Sequence, residues 1–135
     1  MRKSIELLNI PIFSEENGCL SVFEFKDNAL WPIERVFTVI ASGGDIRGEH
    51  AHIKCEQALF CIRGQVLVRY SDGQKDDGEI LLRPNGTGLL ISPLIWASQE
   101  YLEDECVLMV LCSEKYDEDD YLRNYDDFLK IVNKK

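Results

Sequence analysis

The chain has two histidines, and both fall in one stretch, "RGEHAHIKCEQ", residues 47–57. Imidazole titrates near neutrality, so it can accept and return a proton or ligate a metal. In a β-strand, residues two apart share a face. His50 and His52 therefore present two imidazoles to one surface, with Arg47 at its rim where the local chain is extended. Two unrelated surface histidines would be the bland alternative. Against it, the pair stands at the entrance to a series of apolar strands and no third histidine exists, so a functional pair is the better reading. A metal site is poorly supplied: two imidazoles and Glu56 fall short of the usual three protein ligands plus an open position, and none is assigned. Cys55 as a nucleophile reads as weaker still, because a thiol three residues after His52 on the same strand would face the other way.

Composition narrows the partners. With 24 Asp and Glu against 15 Lys and Arg the net charge is −9, which repels a nucleic-acid backbone and leaves no basic stripe to focus an exception. No apolar run approaches the ~20 residues of a membrane-spanning helix, and the expectation is a cytoplasmic protein without membrane or nucleic-acid partners. The five cysteines (Cys19, Cys55, Cys61, Cys106, Cys112) form an odd set without a CxxC pair and read as reduced thiols, three of them within apolar stretches. A length of 135 residues fits one domain, 1–135.

The elements that must position the histidines read as all-β. Short apolar or alternating runs at 20–25, 35–41, 57–62, 65–70, 79–82, 88–92 and 106–112 are separated by Gly, Asn and Pro turns. Residues 59–62 and 65–68, joined at Arg63-Gly64, read as a hairpin. The run "CVLMVLC" is apolar on both faces and should be buried between two sheets. From Asp117 the period changes: Tyr121, Leu122, Tyr125, Phe128, Leu129 and Val132 recur every three or four residues. This predicts an amphipathic helix over 117–132 with acids first and lysines (Lys130, Lys134, Lys135) last.

Gly44, then His50 and His52, then Glu56 or Gln57, and later Gly64 resemble the first signature of the cupin superfamily, a jelly-roll β-barrel with its site in the mouth. Metal-binding cupins add a histidine on a later strand, and the matching stretch "ISPLIWASQE" has none. With "GLLISPLIW" and "KYDEDDYLRNYDDFLKIV" following in order, the chain is similar to the sugar-nucleotide 3,4-ketoisomerases, metal-free cupins acting on dTDP-4-keto-6-deoxyglucose. The resemblance implies an isomerase without cofactor, in the biosynthesis of 3-amino sugars of surface glycans such as lipopolysaccharide O-antigen. His50 would be the base, with His52 orienting it or sharing the proton, and Arg47 would oppose the charge of an enediolate or diphosphate. Lys54, Arg69 and Arg83 are the other cations near the strands. Trp96, with Trp31, would stack on thymine or line the sugar pocket, or else be a core aromatic. Where family members carry tyrosines this chain has Asn17-Gly18 and Phe37-Thr38, at positions that would bind sugar; Asn17 still offers an amide, and Phe37 has no hydroxyl. Leu90 and Ala97 depart from the family pattern too. A non-catalytic nucleotide-sugar-binding cupin and a metal-dependent cupin oxygenase are the alternatives. The family also implies a homodimer, with residues 4–12 apolar enough for an exchanged strand.

Overall fold

The computed structural model describes residues 5–24 and 30–134. The strands are β1 (Ile5–Leu8), β2 (Ile12–Glu15), β3 (Gly18–Ser21), β4 (Arg35–Ala41), β5 (Ile46–His52), β6 (Gln57–Arg63), β7 (Val66–Ser71), β8 (Asp77–Leu82), β9 (Gly88–Ile91), β10 (Trp96–Tyr101), β11 (Cys106–Cys112) and β12 (Tyr121–Leu122). A first sheet has the order β1-β9-β6-β11-β4, a second β12-β5-β10-β7-β8, and β2-β3 form a separate hairpin. The sheets face each other as the jelly-roll barrel that the sequence predicts. Leu59, Val66, Val68, Leu89, Tyr101 and Leu108 fill the space between them.

Three expectations change. Residues 59–68 are not a hairpin: β6 pairs with β9 and β11, whereas β7 pairs with β8 and β10, so Arg63-Gly64 carries the chain from one sheet to the other. Local turn chemistry is the same in both cases, and only closure of the barrel decides between them. The run 106–112 does not lie between two sheets on both its faces. Leu108 and Val110 face the barrel, while Leu111 and Met109 belong to an outer cluster with Phe60 and Leu90, covered by Phe23, Leu30 and Trp31 from the N-terminal third. The helix is shorter than 117–132. It is α1 (Tyr125–Val132), started by Asn124, whose side chain accepts from the Asp127 N–H at 2.9 Å. Residues 118–122 are instead a 3-10 turn and β12, because Tyr121 and Leu122 pair with His52 and Ala51 of β5.

Other expectations lie partly outside the described residues: Phe25 of the run 20–25, Ser4 of the N-terminal stretch, and Lys135 at the end of the helix. Residues 5–8 of that stretch complete the chain's own first sheet, Ile5 opposite Ile91. All five cysteines are free thiols.

Gly64 shows how tightly the crossing is made. Its φ is +84°, and a Cβ there would lie 2.5 Å from the Cys106 Sγ. Gly64→Ala should destabilise the fold by about 2 kcal/mol or more, through a left-handed backbone and a clash that only strand movement relieves. Thermal denaturation should show a midpoint several degrees below the wild type.

Candidate active site

Strand β5 carries the histidines, and a bulge in it sets their company. Ala97 pairs with His50 and Gln99 with Arg47, so on β10 one residue, Ser98, separates the pairs where β5 has two, Gly48 and Glu49. The extra residue cancels one alternation and brings Arg47 onto the same inward face as His50 and His52. The bulge needs left-handed backbone at Gly48 (φ +87°) and Glu49 (φ +56°), and a Cβ on Gly48 would press on Gln99 and the Ala97 carbonyl.

Each imidazole has one nitrogen fixed. His50 Nδ1–H donates to the Gly48 carbonyl at 3.0 Å; a carbonyl only accepts, so the lone pair of His50 lies on Nε2. His52 Nδ1–H donates to Asp120 Oδ2 at 2.9 Å, and His52 Nε2 is buried without a protein partner. Asp120 also accepts from the Lys54 N–H at 2.7 Å and the Cys55 N–H at 3.3 Å. The two imidazoles meet edge to face at 4.9 Å. The Tyr121 ring lies 5.1 Å from His50 and 4.4 Å from His52. Arg35 Nη1 donates to the Tyr121 hydroxyl at 3.4 Å, and the Arg123 guanidinium lies 4.3 Å from the centre of the Tyr121 ring.

Between the sheets these groups border a cavity of about 110 Å³. Its polar side is Arg47, His50, Gln57, Gln99 and Tyr121, and its floor is Phe37, Val39, Leu59, Leu108 and Val110. Burial holds His50 well below the usual imidazole range, at about 4, helped by the charges of His52 and Arg123 and opposed by the Gly48 carbonyl. Burial also lowers His52, outweighing the pull of Asp120. Both imidazoles are therefore neutral near pH 7, and His50 Nε2 is ready to accept a proton.

Of the residues expected at the site, His50, His52, Arg47 and Phe37 come together. The others do not. Asn17 is exposed at the β2–β3 turn. Arg69 faces outward, paired with Glu100 at 2.8 Å and Glu79 at 3.4 Å. Arg83 borders a separate cleft with Ser21, Phe60 and Asn85. Lys54 contributes its backbone N–H to Asp120, while its exposed side chain borders another cleft beyond that carboxylate. Trp96 points away from the barrel into α1, 5.1 Å from the Tyr125 ring and 5.6 Å from Phe128. Strand alternation explains it: Ala97 faces in, so Trp96 faces out.

Cys55 was expected to face away from His52, and this is corrected. Strand β5 ends at His52, the chain bends through Ile53 and Lys54, and the Cys55 thiol comes within 4.8 Å of His52 and Asp120. The Cys112 S–H donates to the Cys55 sulfur, which holds the Cys55 thiol below its usual range and Cys112 above it. His52, Cys55 and Asp120 are donors of the kind zinc takes, although both Asp120 oxygens are already occupied as acceptors. His50 is not among the three.

Asp120, Tyr121, Arg35 and Gln99 were not assigned roles from sequence. The first two stand in the "YDEDDY" stretch, whose acids read equally well as a helix's first turn.

Two outcomes follow. Were His50 a catalytic base it would have to be neutral, and kcat/KM would fall as pH drops through its pKa. The acid limb should have its midpoint near 4 and not near 6.5, as read from a pH profile of the purified protein. Asp120→Asn removes the charge that orients His52 but keeps an acceptor oxygen, and should lower kcat roughly 10- to 100-fold in steady-state assays with KM little changed.

Comparison with known proteins agrees over the whole chain. The family model described as FdtA: WxcM-like, C-terminal, matches residues 3–133. A TDP-4-oxo-6-deoxy-alpha-D-glucose-3,4-oxoisomerase of Aneurinibacillus thermoaerophilus is 36% identical over 130 residues, covering 96% of this chain and 93% of that protein. The 3,4-ketoisomerase QdtA of Thermoanaerobacterium thermosaccharolyticum, solved as a histidine-to-asparagine variant with TDP-4-keto-6-deoxyglucose, superposes with a TM-score of 0.90. It is 32% identical, covering 99% of this chain and 97% of its own. A 3,4-ketoisomerase of Helicobacter canadensis gives a TM-score of 0.89 at 30% identity, covering 98% and 99%.

Proposed function

We propose, for a chain that belongs to the FdtA, WxcM-like C-terminal, family, the isomerisation of TDP-4-keto-6-deoxyglucose to the 3-keto sugar, with His50 as the base. The observation that carries the assignment of His50 is its locked Nδ1, which leaves Nε2 as the free lone pair of a neutral imidazole bordering the cavity.

The C3 proton of a 4-keto sugar is acidified by the neighbouring carbonyl. His50 Nε2 takes it, the electron pair forms the C3–C4 double bond, and the resulting imidazolium returns the proton at C4. Arg47, on the same face, opposes the negative charge that develops on oxygen. His52, oriented by Asp120, packs against the His50 ring and fixes its position. The apolar floor of Phe37, Val39 and Val110 suits a C6 methyl group better than a hydroxymethyl group, which would be buried there without a hydrogen-bond partner.

The same reading includes a cytoplasmic homodimer whose product feeds a 3-aminotransferase, on the way to 3-amino sugars of surface glycans. No helix among the described residues is long and apolar enough to cross a membrane. Val36 and Ile40 face outward on the edge strand β4, 55% and 72% exposed, which supports an apolar contact between copies. Light scattering should give twice 15.5 kDa, and a monomer at working concentration would remove the dimer.

The activity is tested by proton NMR of TDP-4-keto-6-deoxyglucose in heavy water. The wild type should wash out the C3 proton signal and build a 3-keto species. His50→Ala should do neither while still binding TDP with near-native affinity. Full turnover by that variant would overturn the assignment of His50, and TDP binding by the wild type without exchange would favour a binding protein.

A further inference from the structure

Two buried thiols stand behind the histidines, and the isomerisation described above uses neither. Cys55 and Cys112 are hydrogen-bonded to each other, with the Cys112 S–H donating. Their backbones are held together. Gln57 pairs with Cys112 across β6 and β11, the Ser113 N–H donates to the Glu56 carbonyl at 3.0 Å, and the Glu56 N–H donates to the Ser113 hydroxyl at 2.8 Å. The two sulfurs therefore meet from neighbouring segments whose spacing is fixed, as closure of a disulfide requires.

Both sulfurs reach the histidine site. Cys55 ends the bend that supplies two of the donors to Asp120, its own N–H at 3.3 Å and that of Lys54 at 2.7 Å. It also borders the small void beside His50 and His52. Cys112 Sγ accepts from the Gln57 amide at 3.6 Å, and Gln57 lines the cavity with Arg47 and His50. From outside, a cleft of about 540 Å³ is lined by Lys54 and Ser113, the sequence neighbours of the two cysteines, and by Asp120. An oxidant little larger than water thus has a short way to the pair.

We propose that Cys55 and Cys112 close a reversible disulfide when the protein meets a peroxide, and that the bridge stops turnover by shifting the bend that holds Asp120 and His52. The effect on turnover rests on the isomerase reading above, whereas the bridge itself does not. A disulfide sets its sulfurs about 2.0 Å apart, closer than hydrogen-bonded thiols, so closure draws the bend toward β11 and disturbs the N–H groups on which Asp120 depends.

The steps balance. The hydrogen bond from Cys112 brings the Cys55 thiol down to about 6 against the opposing effect of burial, which makes Cys55 the sulfur that ionises. Its thiolate attacks one oxygen of hydrogen peroxide, the O–O bond breaks, and Cys55 becomes a sulfenic acid. The hydroxide that leaves takes the proton Cys55 released. The hydrogen bond and charge of Cys55 that raise Cys112 are then gone. The Cys112 sulfur gives up its proton and attacks the Cys55 sulfur, the S–O bond breaks, and the departing hydroxide takes that proton as water. Two thiols and one peroxide become one disulfide and two waters, and a dithiol reductant restores both thiols.

Wild type treated with hydrogen peroxide and digested without reductant should yield a peptide linking Cys55 to Cys112, two hydrogens lighter than its reduced halves together. Across a peroxide titration kcat should fall with the linked fraction, by about tenfold or more at full linkage, and dithiothreitol should restore it. Isotope labelling of histidine nitrogen reads the site without substrate, because the chain has two imidazoles. The His52 ring signals should shift on linkage and return on reduction. Cys112→Ser cannot close the bridge, and at the dose that links the wild type fully it should keep kcat within about threefold of its own untreated value. Absence of the linked peptide, or a fully linked wild type that turns over within threefold of the reduced protein, overturns the proposal. Loss of activity by Cys112→Ser at that dose overturns the bridge as the cause. A reduced wild type that fails to isomerise the sugar overturns the isomerase reading alone, and His52 signals unmoved by linkage would then overturn the bridge's action on the site.

Discussion

The buried carboxylate of Asp120 is the contact on which the site's construction depends. It is 9% exposed, and a charge so placed is tolerated only with donors arranged around it. It has three: His52 Nδ1–H and the backbone N–H groups of Lys54 and Cys55. Those donors come from the end of β5 and the bend behind it, while Asp120 comes from sixty-odd residues later in the chain. One side chain therefore fixes the His52 tautomer, terminates β5 and delivers Tyr121 to its pairing opposite His52. The chain beyond, through the Asn124 cap to α1, then lies where Phe128 and Tyr125 cover Trp96.

Electrostatics at the site run against the charge of the whole chain. A net charge of −9 would raise histidine pKa values if distance did not matter, yet both imidazoles are pushed down. Desolvation decides this, because it acts on the buried group directly, whereas surface carboxylates are screened over roughly 8–10 Å of saline. Of the charges that do reach the rings, Asp120 raises His52, while Arg123 lowers both and Arg35 lowers His52. Arginines therefore stand close to the imidazoles on a chain that is acidic overall.

How much of this was legible in the sequence depended on whether a feature is local. Runs 35–41 and 106–112 correspond residue for residue to β4 and β11, because alternation or continuous apolarity states a strand without outside help. The histidine pair was legible from spacing. What failed was set by pairing at long range. Arg63-Gly64 is turn chemistry in a hairpin or in a crossing, and the choice belongs to the barrel. Residues 118–122 have helical periodicity that was overridden when Tyr121 and Leu122 found an open edge on β5. Trp96, Arg69 and Arg83 are close in sequence to site strands yet on other faces, and a candidate chosen by residue type alone carries no information about facing.

The bulge at Gly48-Glu49 shows why the "RGEHAH" spacing is chemically useful. In a regular strand Arg47 would alternate with His50 and His52 and point out of the barrel. Inserting one residue reverses the alternation for everything before it, so the cation joins the imidazoles. The same distortion turns the Gly48 carbonyl toward His50 Nδ1, and that hydrogen bond leaves the lone pair on Nε2. A single local irregularity therefore both brings the Arg47 cation to the histidine face and leaves the His50 lone pair on Nε2. Glycine at position 48 has a corresponding physical reason: with φ at +87° and Gln99 and the Ala97 carbonyl against it, a larger residue would have to undo the bulge, and with it both effects.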